Sequence, residues 1–435
     1  MKKAVALLLA VLLVCSLSAC AKEEASAPAP SSSNKLPSSE QPSSSEPSSK
    51  PSSKPSSSED LSSNESSEPE EETPPASIHA EHYSFATLTP LQQEYYEKLH
   101  DAVTKMQASW IVLGLAEENY RADIAVVRNA LISDHPDIFW LPNFYGTAIG
   151  TSADERVAMI YFAASADSSP SYTVGRGDME RKTREMNRVI DKIVSEVTAV
   201  DPYEIELQLH DRLCALVTYS NSSDDPLVST SYGALVNGKA NCEGYSRAMQ
   251  LLLSRFSILS VPVTGIAKNE GHMWNAVQLD GEWYHLDVTW NDTLAGFISH
   301  EYFNLTDSAI AVDHTFNKNF AELDPATFEE SLPSFNVVRP LCKGTANNFF
   351  ARTGFNLSKT NLDEFVEYMV IVAEPAWEIS IADKTLRDSI SADSATFVST
   401  LNSRLAELFP DCGFKVDSVI LSSSIARIYK TTVAQ

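Results

Sequence analysis

The feature that most constrains this chain is the dipeptide Asp280-Gly281, set between two strand-like runs, residues 271–279 and 282–290. Asp-Gly in that position signals a two-residue type I′ hairpin, because both turn residues must take φ > 0. Such a turn fixes the register: Leu279 opposes Glu282, Ala276 opposes His285, Trp274 opposes Asp287 and His272 opposes Thr289. Side chains alternate with a period of two, so His272 and Asp287 share one sheet face as diagonal neighbours. They are then roughly 7 Å apart at the backbone and within side-chain reach. The other face, with Met273, Val277, Leu279, Tyr284, Leu286 and Val288, is apolar and is expected to be core.

Upstream, a helix is expected over residues 205–217, followed by a polar loop at 221–225. After Cys242 come Ala248, Leu251, Leu252 and Phe256 at helical spacing, which predicts Cys242 at a helix N-terminus. There the unsatisfied N–H groups and the helix dipole favour a thiolate. A thiolate, an imidazole to move the proton and a carboxylate to orient the imidazole are what nucleophilic thiol chemistry needs. The tetrahedral oxyanion also needs donors. The backbone N–H of Cys242 is one and the Tyr232 hydroxyl is a second, weaker one.

Competing readings weigh on each residue. A lone cysteine is more often buried and inert, and the hairpin-placed His272 and Asp287 tip that balance towards reactivity. His285 shares the face of Asp287 and could serve as the base. His272 is preferred, because His285 lies on the aspartate's own strand, where two side chains on one edge do not readily span a nucleophile. Trp274, Trp283 and Trp290 read as core and rim, and His314 as structural. Residues 233–240 mimic a phosphate-binding loop but end in Ala240, which has no hydroxyl for Mg²⁺. No zinc or calcium spacing is present, so neither metal nor cofactor is expected.

Three blocks carry a resemblance: Cys242-Glu243-Gly244-Tyr245, His272-Met273-Trp274-Asn275, and residues 283–290. In that order they resemble the transglutaminase-like superfamily, within the broader papain-like fold. Tyr302-Phe303-Asn304-Leu305, with Asp313-His314 beyond it, resembles the segment that closes many bacterial members. The resemblance covers residues 203–316, about a quarter of the chain. It implies an α+β core with a catalytic cysteine at a helix N-terminus packed on an antiparallel sheet. The family's Cys, His and Asp fall on Cys242, His272 and Asp287. The family includes amide cross-linking enzymes, peptidases and peptide deglycosylating enzymes, so the resemblance implies a thioester route on peptide or protein amides. Hydrolysis is slightly favoured, because water is always present and an amine acceptor needs its own site. Amine transfer and a non-catalytic surface binding module are the alternatives.

The remaining sequence divides by composition. Lys2 and Lys3 precede an apolar run at 4–14, too short for a bilayer span of about 20 residues. The pattern is a secretory signal. Its end, Leu17-Ser18-Ala19-Cys20, resembles a bacterial lipobox, so residues 1–20 read as a lipoprotein signal peptide with Cys20 as the lipidated residue. Acyl chains there, at about 0.8 kcal/mol per buried CH₂, would hold the protein at the extracellular face of the membrane. Residues 21–77 are rich in Ser, Pro and Glu, with Leu36 and Leu61 almost the only large apolar side chains. Such a segment cannot offset its chain entropy and is expected to be a disordered tether. The net charge of -25 excludes a general nucleic-acid binder. A peptide or protein substrate, with cell-wall peptides near the tether's reach, is the expected partner.

Residues 78–200 are expected to form a mainly helical domain. One helix carries Leu91, Tyr95, Leu99, Ala102, Met106 and Trp110; a second stops at Asp134-His135-Pro136; a buried strand spans 157–164 and a charged helix 178–197. The catalytic domain is expected at 201–316. Residues 317–435 read as a small α+β unit, with a strand near 368–372, a helix at 395–408 and strands at 415–421 and 425–433. Outside the cell, Cys342 and Cys412 could pair.

Overall fold

Three hydrophobic cores, two large and one small, organise the described residues. The structure is a computed structural model and describes residues 81–165, 168–222, 224–292, 298–317, 338–352, 355–372, 376–422 and 424–432. Cys20, the signal segment and the tether lie outside the described residues, among which no helix is long and apolar enough to cross a membrane. The first core runs without a break from Phe85 to Phe303, and the second gathers Leu357 to Ile428. Residues on both sides of position 200 therefore pack together, and the expected boundary there is not a break in the packing.

In the N-terminal part, Thr89 and Gln92 form a capping box on the helix Pro90–Thr104, and Pro90 fills its first turn. The helix ends short of the expected Met106 and Trp110. Met106 takes φ 49°, and Trp110 is exposed. A second helix, Tyr120–Asp134, stops before Pro136 as expected. The Asp134 carboxylate accepts from the N–H groups of Ser84 and Phe85 at 2.9 Å each and from the Tyr96 hydroxyl at 3.1 Å, which ties three helices together. The region is mainly helical, with one small sheet beside the helices. Ile111–Leu115, Glu155–Ala163 and Phe144–Ser152 form an antiparallel sheet with Glu155–Ala163 at its centre. The helix Arg176–Glu196 closes this part with Met186, Ile190 and Ile193 buried.

The middle of the chain sets two helices against a four-stranded antiparallel sheet. The helices are Pro202–Leu216 and the cysteine helix Cys242–Ser254. The sheet order is the aspartate strand Glu282–Leu286, the histidine strand Glu270–Leu279, then Ser260–Ala267 and His314–Phe316. Asp280 and Gly281 take φ 52° and 82°, and the hairpin pairs Leu279 with Glu282 and Ala276 with His285, the register that the turn predicts. The ladder ends at Leu286, however. Asp287 instead caps the helical turn Val288–Asn291, so the expected pairs Trp274–Asp287 and His272–Thr289 do not form. Capping satisfies an orphan N–H that an added ladder residue would leave free. Both sheet faces are buried. Val277, Leu279, Tyr284 and Leu286 join the first core, while Trp274 and Ala276 pack with Val263, Ile310 and Cys342.

The C-terminal part sets strands Phe355–Asn356, Ala376–Ser380, Ile425–Thr432 and Phe414–Ser422 against helices Leu362–Ile371, Lys384–Ala392 and Ser394–Leu408. Residues 368–371 are helical, not strand as expected, because Phe365, Val366 and Met369 bury one helical stripe. The strand lies at Ala376–Ser380. Cys342 and Cys412, whose pairing the sequence left open, are both free and belong to different cores. This part docks on residues 298–301. Glu378 accepts from the His300 N–H at 2.6 Å and meets its Nδ1 at 2.7 Å, and Ser424 donates to Glu301.

One buried acid makes this fold sensitive to pH. Glu206 on the helix Pro202–Leu216 accepts from Asn304 Nδ2 at 2.7 Å, while its other oxygen has no partner. Burial, only partly opposed by the Asn304 bond, raises its pKa to about 8. The unfolded value is about 4.3, so between these values the folded state holds a proton that the unfolded state has lost. Stability contributed by the protonated acid is complete below about pH 4.3 and declines as pH rises towards 8. Glu206→Gln should melt with wild type near pH 4 and above it near pH 8. Identical melting curves at both pH values would contradict this.

Candidate active site

Asn241 takes extended backbone angles, and its Oδ1 accepts from Gly244 N–H at 3.2 Å, so Cys242 is the first residue of its helix. The glycine has a steric reason. A Cβ at position 244 would stand 2.7 Å from both Ala240 Cβ and the Val228 carbonyl oxygen. The helix is fastened to the histidine strand by Ser246, whose hydroxyl lies 2.9 Å from the Cys242 carbonyl and 3.1 Å from that of Met273. Asn275 Nδ2 adds bonds to Ser246 O at 3.1 Å and Ser260 Oγ at 3.2 Å. These bonds hold the thiol and the residue next to His272 in one rigid frame.

Cys242 is partly exposed, and its thiol is among the groups that raise His272. His272 Nε2 lies 2.7 Å from Asp287 Oδ2, which leaves Nδ1 for the thiol. The Asp287 side chain is fully buried, and that of His272 is nearly so. Burial by itself would push the His272 imidazolium down. The Asp287 charge, its hydrogen bond and then Cys242 outweigh burial and raise His272 to about 10. Burial likewise pushes Asp287 up, and His272 and His314 outweigh it, holding the carboxyl below its usual range. The imidazolium–carboxylate pair is therefore charged at neutral pH, and a cation beside a thiol stabilises the thiolate.

His314 was expected to be structural only, but it belongs to this network. Its Nε2 lies 3.2 Å from Asp287 Oδ2 and its Nδ1 2.6 Å from Asp313 Oδ1, and the Tyr302 hydroxyl donates to Asp313 at 2.7 Å. Asp287 Oδ1 accepts from the Trp290 N–H at 3.1 Å. The Trp290 ring covers the pair, its centroid 5.6 Å from His272 and 4.4 Å from His314, with Lys268 Nζ 4.1 Å over it. His285 takes no part. It is buried, 2.8 Å from Asp307, and accepts from Trp274 Nε1 at 3.0 Å.

Tyr232 does not fit the role expected of it. Its hydroxyl donates to Glu185 at 2.9 Å, and its ring packs on Phe139, so the donor for the oxyanion is already engaged. Tyr219, absent from the sequence reading, lies on a strand, Thr218–Tyr219, that pairs with Lys239–Ala240, just before Cys242. Burial and then the charges of Cys242 and Glu270 push its phenol up. Cys214 is buried, and burial pushes its thiol up, so it is unsuited to attack.

Among the described residues, three side-chain groups have the spacing to hold a metal ion: His272, Asp287 and His314; His210, Asp211 and His300; and His285, Asp307 and Cys342. In each, the carboxylate already meets imidazole nitrogen at hydrogen-bond distance, and Arg339 adds a cation 2.7 Å from Asp307.

The buried carboxylate is the stabilising centre of the network. Asp287→Ala leaves the buried His272 imidazolium without its anion, and should cost about 3–5 kcal/mol in urea unfolding. A loss below about 1 kcal/mol would contradict that assignment.

Comparison with known proteins bears on the same segment. Residues 191–288 match the model of the transglutaminase-like superfamily. Kyphoscoliosis peptidase from Mus musculus and from Homo sapiens are each 31% identical over 108 residues, covering 20% of this chain and 16% of theirs. The chain therefore spans a small part of the length of these curated relatives. A crystallised TGase is similar over 33% of this chain and 44% of its own, at 12% identity and a TM-score of 0.24. The fold is α+β with a papain-like core, and residues 191–288, which hold Cys242, His272 and Asp287, form a segment similar to the core domain of the transglutaminase-like superfamily.

Proposed function

We propose that the protein is a thiol enzyme that opens peptide or protein amides through a thioester on Cys242. One observation carries the reading: a partly exposed cysteine opens a helix, and the histidine that its thiol helps to raise has its Nε2 2.7 Å from a buried carboxylate. In the first half-reaction the Cys242 thiolate adds to the amide carbonyl, and the backbone N–H of Cys242 meets the oxyanion. Tyr219, on the strand paired with the residues just before Cys242, is the candidate for a second donor. The His272 imidazolium gives its proton to the departing nitrogen, the C–N bond breaks, and an amine leaves. In the second half, His272 takes a proton from the incoming nucleophile, which adds to the thioester and releases Cys242. Asp287 keeps the imidazole oriented and its cationic form stable throughout.

With water as nucleophile the outcome is hydrolysis, and with an amine it is cross-linking. Hydrolysis is the reading adopted here. Water needs no second site, and the matching segment of the mouse and human relatives belongs to proteins named peptidases. The lipobox-like Leu17-Ser18-Ala19-Cys20 and the Ser/Pro/Glu-rich segment support an anchored enzyme at the outer face of a bacterial membrane, within reach of cell-wall peptides.

The full chain should be incubated with casein, with and without excess glycine ethyl ester, and the products read by mass spectrometry. New peptide termini, lost by at least about 10³-fold in Cys242→Ala, are the expected result. Ester-linked glutamines in place of new termini would favour amine transfer. Neither product, on casein or on purified cell wall, would favour the binding-module reading. Detergent-phase partitioning that survives Cys20→Ala would contradict the anchor.

A further inference from the structure

A cavity lies where the helix Tyr120–Asp134 and residues 136–143 meet the first turn of the cysteine helix. Its walls include Leu131, Ile138, Phe139 and Leu141, with Arg128 and Glu243 among the charged residues. The charges there do not cancel. Arg247, also in the wall, gives Nε at 3.0 Å and Nη2 at 2.7 Å to one Glu243 oxygen, so that anion is taken. Arg128 meets only neutral oxygens, Asn129 Oδ1 and Asn143 O, each at 3.3 Å. Its Nε is sealed from solvent and has no partner. Tyr145 supports the guanidinium from one side, 5.0 Å from its ring centroid.

Burial is the largest influence on Arg128 and pushes its pKa below the ordinary value, with Tyr145 and Glu243 opposing and Arg247 adding to the fall. Arg128 as a whole is half-buried, and a cation whose Nε is shut off from water costs stability unless an anion arrives. In a chain of net charge -25, one guanidinium that meets only neutral oxygens beside apolar walls is a specific feature rather than a consequence of overall charge.

We propose that this cavity binds a carboxylate carried on an apolar stem, the carboxylate pairing with Arg128 and the stem lying along Leu131, Ile138, Phe139 and Leu141. The planar guanidinium fork matches a carboxylate, and its free Nε–H supplies one of the two parallel donors. Two sources share this chemistry: an acidic group of a peptide and a free short branched acid. Glu243 follows Cys242 in the helix, so its side chain leaves about 100° around the axis from the thiol. A ligand here abuts the first turn of the helix from the side away from His272, and its binding does not depend on turnover at Cys242.

The test is saturation-transfer NMR on the full chain with three probes: 4-methylpentanoate, its neutral amide, and an N-acetylated, C-amidated dipeptide of leucine and aspartate. At least one carboxylate probe should bind about tenfold more tightly than the amide, lose about tenfold in Arg128→Gln, and keep its affinity in Cys242→Ala. The better of the two carboxylate probes identifies the source. Equal binding of acid and amide, binding by neither carboxylate probe, or unchanged affinity in Arg128→Gln would overturn the proposal. Should Arg128→Gln fail to fold, the comparison of acid with amide on the unaltered chain decides alone. Separately, loss of casein cleavage with probe binding intact would count against the thiol reading and not against this one.

Discussion

The carboxylate of Asp287 is the point on which the rest of the site depends. One of its oxygens meets two imidazoles, His272 at 2.7 Å and His314 at 3.2 Å, and the other caps the turn that carries Trp290. Its own N–H donates to the Tyr302 carbonyl. A buried anion is tolerable only when it is paired and hydrogen-bonded, and here each contact that meets the need also positions a neighbour. His272 is turned to the thiol, Trp290 covers the pair, and the segment beginning at Tyr302 is drawn against the end of the aspartate strand.

The other regions support that centre from a distance. Asp313 and Tyr302 stand behind His314, and Glu206 and Asn304 fasten the same loop to the helix Pro202–Leu216. Just before it, residues 298–301 carry the C-terminal part. His300 bridges Asp211 at 2.9 Å and Glu378 at 2.7 Å, and burial is outweighed there by the two acids, which raise the imidazole to about 9. The N-terminal part contributes the wall of the cysteine helix opposite the sheet, where Arg247 and Gln250 donate to the carbonyls of Ile132 and Ser133. Neither flanking region supplies a residue of the thiol–imidazole–carboxylate set, yet both press on the elements that hold it.

What the sequence disclosed follows the range of each interaction. The Asp280-Gly281 turn and the helix opening at Cys242 depend on neighbours within a few residues, and both were legible. Through them His272 and Asp287 could be brought together, although the ladder stops before Asp287 and the contact is made from a cap. The capping role was hidden because residues 286–290 have side chains that suit a strand equally well. His314 reaches Asp287 only because its strand pairs with Ser260–Ala267, a long-range choice that no local pattern reports. Tyr232 was misplaced for a similar reason, since the helix that supplies Glu185 is remote in sequence. At residues 368–371, β-branched and aromatic side chains suggested a strand where packing against the second core selects a helix.

The most direct test of the central claim is the rate at which limiting iodoacetamide alkylates each cysteine of the full chain at neutral pH, read by peptide mass spectrometry. If the imidazolium held by Asp287 stabilises a thiolate, Cys242 is labelled well ahead of Cys214, and His272→Ala slows Cys242 about tenfold or more while leaving the others unchanged. Labelling of Cys242 that is no faster than that of Cys214, or that is indifferent to His272, would contradict the account.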